Sequence, residues 1–103
     1  MKIKIAPSIL SANFGELNQE IKEIEQYSDY IHLDVMDGHF VPNISYGAVV
    51  TKDIKSVLPL DCHLMISDPV KYAKSFSSHC FRLTFHAEIF DNKNDLLNAI
   101  NEI

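Results

Sequence analysis

The 103-residue sequence is 47% hydrophobic and 22% charged, a composition typical of one globular domain and not of a disordered chain. Its net charge of -5 and the absence of a Lys/Arg cluster argue against nucleic-acid and anionic-membrane partners and favour a small molecule. Because Pro7 breaks the first apolar run and no stretch approaches the ~20 apolar residues of a membrane helix, we expect a cytoplasmic protein.

The first half of the chain alternates between strand and helix patterns. Alternating and then apolar residues predict a strand over 2–8, and a capping-box pattern followed by apolar residues at helical spacing predicts a helix over 14–27. A run of β-formers predicts a second strand over 30–36. Apolar residues on one side then predict a helix near 48–57.

The second half continues the alternation. A strand is predicted over 60–65, and Asp68 followed by Pro69 predicts an N-cap and the first position of the next helix. A fourth strand over 81–86 precedes a last helix that runs to the end of the sequence. The order β-α-β-α-β-α-β-α at this spacing predicts a parallel sheet of the α/β class.

Two parallel architectures compete. A doubly wound sheet usually has a Gly-rich first turn, but this chain has three glycines and no such turn. A (β/α)₈ TIM barrel gathers its chemistry at the carboxyl ends of several strands, which is where Ser8, His32, Asp34, Met36, His63, Met65 and His86 are predicted to lie. We therefore predict that residues 1–103 form one domain, the first four βα units of such a barrel.

The stretch 30–47 carries the most unusual pattern. His32, Asp34 and Met36 fall two residues apart, so an extended backbone turns them to one face of the sheet. A base and a carboxylate there are costly unless they are paired, metal-bound or wet. The following loop, 37–43, mixes Gly, Pro and Asn with aromatic and apolar residues, which favours a site lid over a plain connector.

On the neighbouring strand, His63 can converge with His32 and Asp34. Two imidazoles and a carboxylate suit Zn²⁺, Fe²⁺ or Mn²⁺ better than Ca²⁺. By spacing alone, a hydrogen-bonded strand histidine is the commoner outcome. Met36 and Met65, each two residues beyond a candidate ligand, are either apolar walls of this site or ordinary core.

Four segments carry a resemblance to a known family. PSILSANF, HLDVMDGHFVPNISYG, DCHLMISDP and LTFHAE closely resemble the ribulose-phosphate 3-epimerases in order and spacing. The resemblance implies a (β/α)₈ barrel and a metal-dependent isomerase of the pentose phosphate pathway. Its expected reaction interconverts D-ribulose 5-phosphate and D-xylulose 5-phosphate by abstracting a proton at C3.

The resemblance also implies roles for individual residues. Asp34 would be both a metal ligand and the proton acceptor, His32 and His63 the other ligands, and the substrate contacts would be Ser8, His63, Met36 and Met65. In that family a second aspartate and the phosphate-binding amides lie in the later half of the barrel, and neither Asp91 nor Asp95 matches that aspartate. We therefore expect the 103 residues alone to be inactive.

Other interpretations remain open at this stage. The chain could be a non-catalytic half-barrel that binds metal or associates with a second half. It could also belong to an epimerase of a related hexulose 6-phosphate, because the specificity loops fall mainly in the later half. Four strands cannot close a barrel and leave two unpaired edges, so we expect the chain to form homo-oligomers.

Overall fold

Within residues 2–103, which the computed structural model describes, three parallel strands form one sheet in the order β1-β2-β3. The strands are β1 (Ile31–Met36), β2 (Leu60–Met65) and β3 (Arg82–Phe85). Each strand pairs in parallel with the next, and helices occupy the connections between them. The predicted α/β class with a parallel sheet is confirmed.

The helices follow the predicted order. They are α1 (Leu17–Ile24), α2 (Ala48–Thr51), α3 (Pro69–Ser77) and α4 (Lys93–Glu102), with 3₁₀ turns at Phe14–Glu16, Glu25–Tyr27 and Ala87–Ile89. Together, α1 and its two flanking turns cover the predicted helix over 14–27. None of the helices between residues 2 and 103 reaches the length and hydropathy of a membrane-spanning segment.

The predicted first strand over 2–8 does not form as a strand. The segment runs beside β1 but makes one isolated parallel bridge, between Ser8 and His32. The Tyr30 N–H donates to the Ile5 carbonyl, so the next ladder bond would run from residue 7 to the Tyr30 carbonyl. Pro7 has no N–H to make that bond. The described residues therefore form three of the four predicted strands, and an isolated bridge at Ser8 takes the place of the first.

Helix α2 is also shorter than the predicted 48–57. The α-helical bonds end at Lys52, after which the Asp53 and Ile54 N–H groups each donate three residues back. The Lys55 N–H then donates to the Asn18 side chain at 2.8 Å. Asn18 lies on α1, 37 positions earlier in the chain. The helix thus tightens into a turn after its first bonds, and a contact with a distant segment takes the next backbone donor.

The apolar core lies on one face of the sheet. Ile31, Leu33 and Val35 of β1 are buried and alternate with half-buried His32, Asp34 and Met36. The buried set packs with Ile21 of α1 and Phe76 of α3, among a larger cluster. Because side chains alternate across a strand, burying the odd-numbered residues turns the polar even-numbered residues of β1 to the opposite face.

Candidate metal centre

The register of the three strands places polar residues in rows on this opposite face. His32 of β1 lies beside Asp61 of β2, which lies beside Arg82 of β3. In the next row toward the carboxyl ends, Asp34 lies beside His63. Side chains of register partners project to the same face of a sheet. The local alternation of each strand and the register between strands together bring these side chains into contact.

His32, Asp34 and His63 converge on one point. Asp34 Oδ1 lies 3.2 Å from His32 Nε2 and 3.5 Å from His63 Nδ1. One ligand atom from each of the three residues lies within 4.8 Å of the others. Each side chain is between 17% and 27% exposed, so the cluster is accessible to a small ligand yet largely shielded. The structure thus brings together the three residues that were predicted as metal ligands.

The donor chemistry of this cluster fits a divalent metal ion. His32 Nδ1 lies 3.0 Å from Asp61 Oδ2, and because a carboxylate only accepts hydrogen bonds, this nitrogen carries the proton. In the neutral ring, Nε2 of His32 therefore presents a lone pair toward Asp34, 3.2 Å away. Two imidazole nitrogens and one carboxylate oxygen form a ligand set suited to Zn²⁺, Fe²⁺ or Mn²⁺.

Asp61 contacts the cluster, and the sequence analysis missed it. It is 7% exposed and holds two partners, His32 and the Arg82 Nε, whose N–H donates to Oδ1 at 2.8 Å. Burial raises the pKa of the Asp61 carboxyl, but the hydrogen bonds from Arg82 and His32 outweigh it and leave the pKa below its usual value. A carboxylate that orients a ligating histidine is the usual outer partner of such metal sites. In the sequence, the signal for Asp61 was a charged residue inside the otherwise mostly apolar strand predicted over 60–65.

Asp34 is held from several directions. Ser8 Oγ donates to Asp34 Oδ2 at 2.5 Å, the Asp34 N–H donates to the Tyr46 hydroxyl at 2.9 Å, and Ser45 Oγ donates to the Asp34 carbonyl at 2.6 Å. Burial raises the pKa of Tyr46 to about 12, so its hydroxyl remains protonated and neutral at ordinary pH. Ser8, the predicted substrate contact, therefore touches the predicted proton acceptor directly.

The two methionines lie together at the carboxyl end of this cluster. Met36 and Met65 are register partners, one row beyond Asp34 and His63, and both are half-buried. Their position on the polar face, and not in the core behind the sheet, favours the interpretation of apolar walls over that of core residues.

The loop after β1 is tied to the loop after β2 through Asp37. Its carboxylate accepts hydrogen bonds from the N–H groups of His39 and Phe40 at 2.9 Å and of Ser67 at 2.8 Å. Desolvation raises the pKa of Asp37, but these three hydrogen bonds outweigh it and lower the pKa to about 2. Gly38 has φ of 72°, a left-handed conformation that favours glycine. The predicted lid is thus anchored at its base.

His86 joins the cluster from the end of β3. Its Nε2 lies 2.7 Å from His63 Nε2, and its Nδ1 lies 3.1 Å from Glu88 Oε1. The Phe40 ring packs on the His86 ring with centroids 4.9 Å apart. His86 was predicted at a strand end but without a role, although a histidine at that position was itself a signal.

The fold and the cluster define a parallel α/β protein with a candidate divalent metal centre. The family model described as "Ribulose-phosphate 3 epimerase family" matches residues 4–103. The chain therefore belongs to the ribulose-phosphate 3-epimerase family, as its motifs indicated.

Individual relatives agree with the family match. The chain is 46% identical over 104 residues to the ribulose-phosphate 3-epimerase of Bacillus subtilis, covering 97% of this chain and 48% of that protein. It is 45% identical over 91 residues to the Mycobacterium tuberculosis protein of the same name, covering 85% and 39%, and 42% identical over 104 residues to that of Methanocaldococcus jannaschii, covering 98% and 44%. The sequence thus spans less than half the length of each of these relatives.

Proposed function

We propose that residues 1–103 are the metal-binding and proton-abstracting half of a ribulose-phosphate 3-epimerase. The substrate would be a sugar phosphate, with D-ribulose 5-phosphate and D-xylulose 5-phosphate interconverted at C3. The observation that carries this proposal is the convergence of His32, Asp34 and His63 in a chain of this family. The proposed architecture is the amino-terminal half of a (β/α)₈ barrel. The complete enzyme would act in the pentose phosphate pathway, in the cytoplasm.

The chemistry requires a base on one face of the substrate. The C3 proton of a 2-ketose is weakly acidic because its removal places negative charge on the adjacent ketone oxygen. Zn²⁺, Fe²⁺ or Mn²⁺ bound by His32, Asp34 and His63 would supply positive charge that stabilises this oxygen. Asp34 would accept the C3 proton, with its second oxygen held by Ser8.

Epimerisation also requires a proton to return on the opposite face of C3. That step needs a second acid, which we propose lies outside residues 1–103 together with the phosphate-binding amides, as the resemblance to the family implies. The residues present here would bind and orient one face of the sugar: Ser8 and His63 through polar contacts, Met36 and Met65 as apolar walls. The protein would have a small-molecule partner, without a nucleic-acid or membrane partner.

Exposed edges support self-association of the isolated chain. Ile3 and Ile5 of the amino-terminal segment are 83% and 54% exposed, and β3 is the last strand of the sheet. Unpaired edges and exposed apolar side chains favour pairing with another chain. We propose that residues 1–103 alone form homo-oligomers and that a carboxyl-terminal half would cover the same surfaces.

A coupled assay with ribulose 5-phosphate tests the proposed function. We expect the natural full-length polypeptide to be active and purified residues 1–103 to be inactive with added Mn²⁺ or Zn²⁺. Adding a separately expressed carboxyl-terminal half should restore part of the activity. If residues 1–103 are monomeric by light scattering and active alone, the assignment of essential groups to a second half is wrong. Turnover of a hexulose 6-phosphate in place of ribulose 5-phosphate would contradict the proposed substrate.

A further inference from the structure

We propose that His86 and Glu88 are positioning residues that fix the tautomer of His63, so that its Nδ1 lone pair faces the metal centre. This inference rests on the metal-binding role proposed for His63. It assigns a function to two residues that lie outside the ligand set. The tautomer of His63 depends on which atom donates in each of two successive hydrogen bonds.

Glu88 sets the direction of both hydrogen bonds. An ionised carboxylate only accepts hydrogen bonds, so the contact of 3.1 Å between Glu88 Oε1 and His86 Nδ1 places the proton on that nitrogen. A neutral imidazole has one donor and one acceptor nitrogen, so His86 Nε2 is then an acceptor. It lies 2.7 Å from His63 Nε2, which must donate. The one remaining nitrogen of His63, Nδ1, is left with a free lone pair.

This lone pair points at the cluster. His63 Nδ1 lies 3.5 Å from Asp34 Oδ1, so two acceptor atoms face each other in the absence of a proton. Such a contact is repulsive by itself and becomes favourable when a cation bridges the two atoms. In the other tautomer, His63 would donate from Nδ1 to Asp34, and its Nε2 lone pair would face the acceptor nitrogen of His86. The Glu88–His86 pair therefore favours the metal-binding tautomer over the one that closes the site with a hydrogen bond.

Ring packing holds this arrangement in place. The His63 and His86 rings are nearly parallel, with an interplanar angle of 24°, and their centroids lie 4.9 Å apart, so the two rings meet edge to edge at the bonded Nε2 atoms. The Phe40 ring, from the loop that Asp37 anchors, packs against the His86 ring, with the two centroids 4.9 Å apart. Because the aromatic contact restricts how far the His86 ring can turn, its Nε2 remains aimed at His63. Loop and ligand are thus connected through one side chain.

Nuclear magnetic resonance of the natural full-length polypeptide, labelled with ¹⁵N-histidine and free of metal, reads the tautomer directly. We expect His63 as the Nε2–H form and His86 as the Nδ1–H form. In His86→Phe, which keeps an aromatic ring beside Phe40 but removes the acceptor, His63 should shift toward the Nδ1–H form. In His86→Gln, the amide oxygen can accept from His63 and should restore the original tautomer.

Titration with Co²⁺, followed by its visible absorbance, measures the consequence for binding. Loss of an outer partner of a metal-ligating histidine typically costs 10–100-fold in affinity, so we expect a fall of about that size in His86→Phe and recovery in His86→Gln. Glu88→Ala should give a smaller fall, because the Glu88 side chain is 68% exposed. Glu23→Ala, at an exposed glutamate of α1, is the matched control and should leave the affinity unchanged.

The two measurements separate failure of this inference from failure of the metal centre. If Co²⁺ binds but neither the His63 tautomer nor the affinity changes in His86→Phe and Glu88→Ala, the positioning role is wrong. If the unmodified protein does not bind Co²⁺, the proposed metal centre is wrong, while the tautomer measurement still decides the role of His86. Glu88→Ala changes an exposed side chain, so it keeps the test valid if His86→Phe does not fold.

Discussion

The two histidines of the candidate metal centre are supported in opposite ways. The His32 support consists of Asp61, which accepts from the ring, and Arg82, which donates to Asp61. The His63 support consists of a neutral ring, His86, and an exposed carboxylate, Glu88. His32 bonds directly to a buried carboxylate within the sheet, whereas His63 bonds to a neutral ring at the strand ends, beside a loop, and the carboxylate behind that ring is exposed.

This difference shows what holds the partner of each histidine in place. Asp61 is fixed by strand register, because β1, β2 and β3 place His32, Asp61 and Arg82 in one row. His86 is fixed by ring packing against a loop residue, which costs less to disturb. Charge-assisted hydrogen bonds contribute roughly 1.5–3 kcal/mol, and neutral ones about half as much. We therefore expect the His32 support to be the stiffer of the two.

The largest effect should come from Asp34→Asn, which removes the group that both histidines face. In the natural full-length polypeptide, we expect loss of epimerase activity with an unchanged circular dichroism spectrum, because the proton acceptor and a ligand charge are lost without a change of volume. The coupled assay checks this expectation. Retention of more than a small fraction of activity would count against Asp34 as the base.

Removing either histidine should lower metal content next. We expect His32→Ala and His63→Ala each to reduce bound Zn²⁺, Fe²⁺ or Mn²⁺, measured by elemental analysis of the purified full-length protein, because each loses a ligand. His79→Ala, at a histidine that bonds Thr51 away from this cluster, is the control. Unchanged metal content in both ligand variants would make His32 and His63 structural.

Asp61→Asn breaks the His32 support while leaving the ligands in place. We expect Co²⁺ affinity to fall about 10–100-fold. The free energy of unfolding should fall by about 1.5–3 kcal/mol, since charge-assisted bonds to His32 and Arg82 are weakened. Asp53→Asn, an exposed aspartate after α2, is the matched control. Equal Co²⁺ affinities for Asp61→Asn and Asp53→Asn would show that the buried support does not orient His32.

The smallest effect should appear in Asp37→Asn, which loosens the loop beside the His63 support. The pKa of Asp37 falls from 3.8 to about 2 on folding, so its carboxylate stabilises the folded protein above about pH 4 and loses that contribution as pH falls through about 2. Thermal unfolding of both proteins should therefore differ at pH 6 and converge toward pH 2. A difference that stays constant over this range would contradict the role of the charge.

Much of the fold was determined locally and could be predicted. The predicted strand over 60–65 matches β2, and Asp68 caps α3 by accepting from the Lys71 N–H, with Pro69 at the first helical position. The two-residue period of His32, Asp34 and Met36 predicted their common face. These features depend on side chains within a few residues of one another, which is the range over which a sequence pattern acts.

The tertiary structure alone decided which residues support the ligands and where regular structure stops. Whether the missing N–H of Pro7 ends a ladder depends on its alignment with Tyr30, and the Lys55 N–H beyond α2 finds its partner, Asn18, in another helix. In the same way, Asp61 and His86 acquire partners only after parallel strands adopt one register. Alternation along a strand is a local property of the backbone, but register and long-range hydrogen bonds are set by how the whole sheet and its core pack.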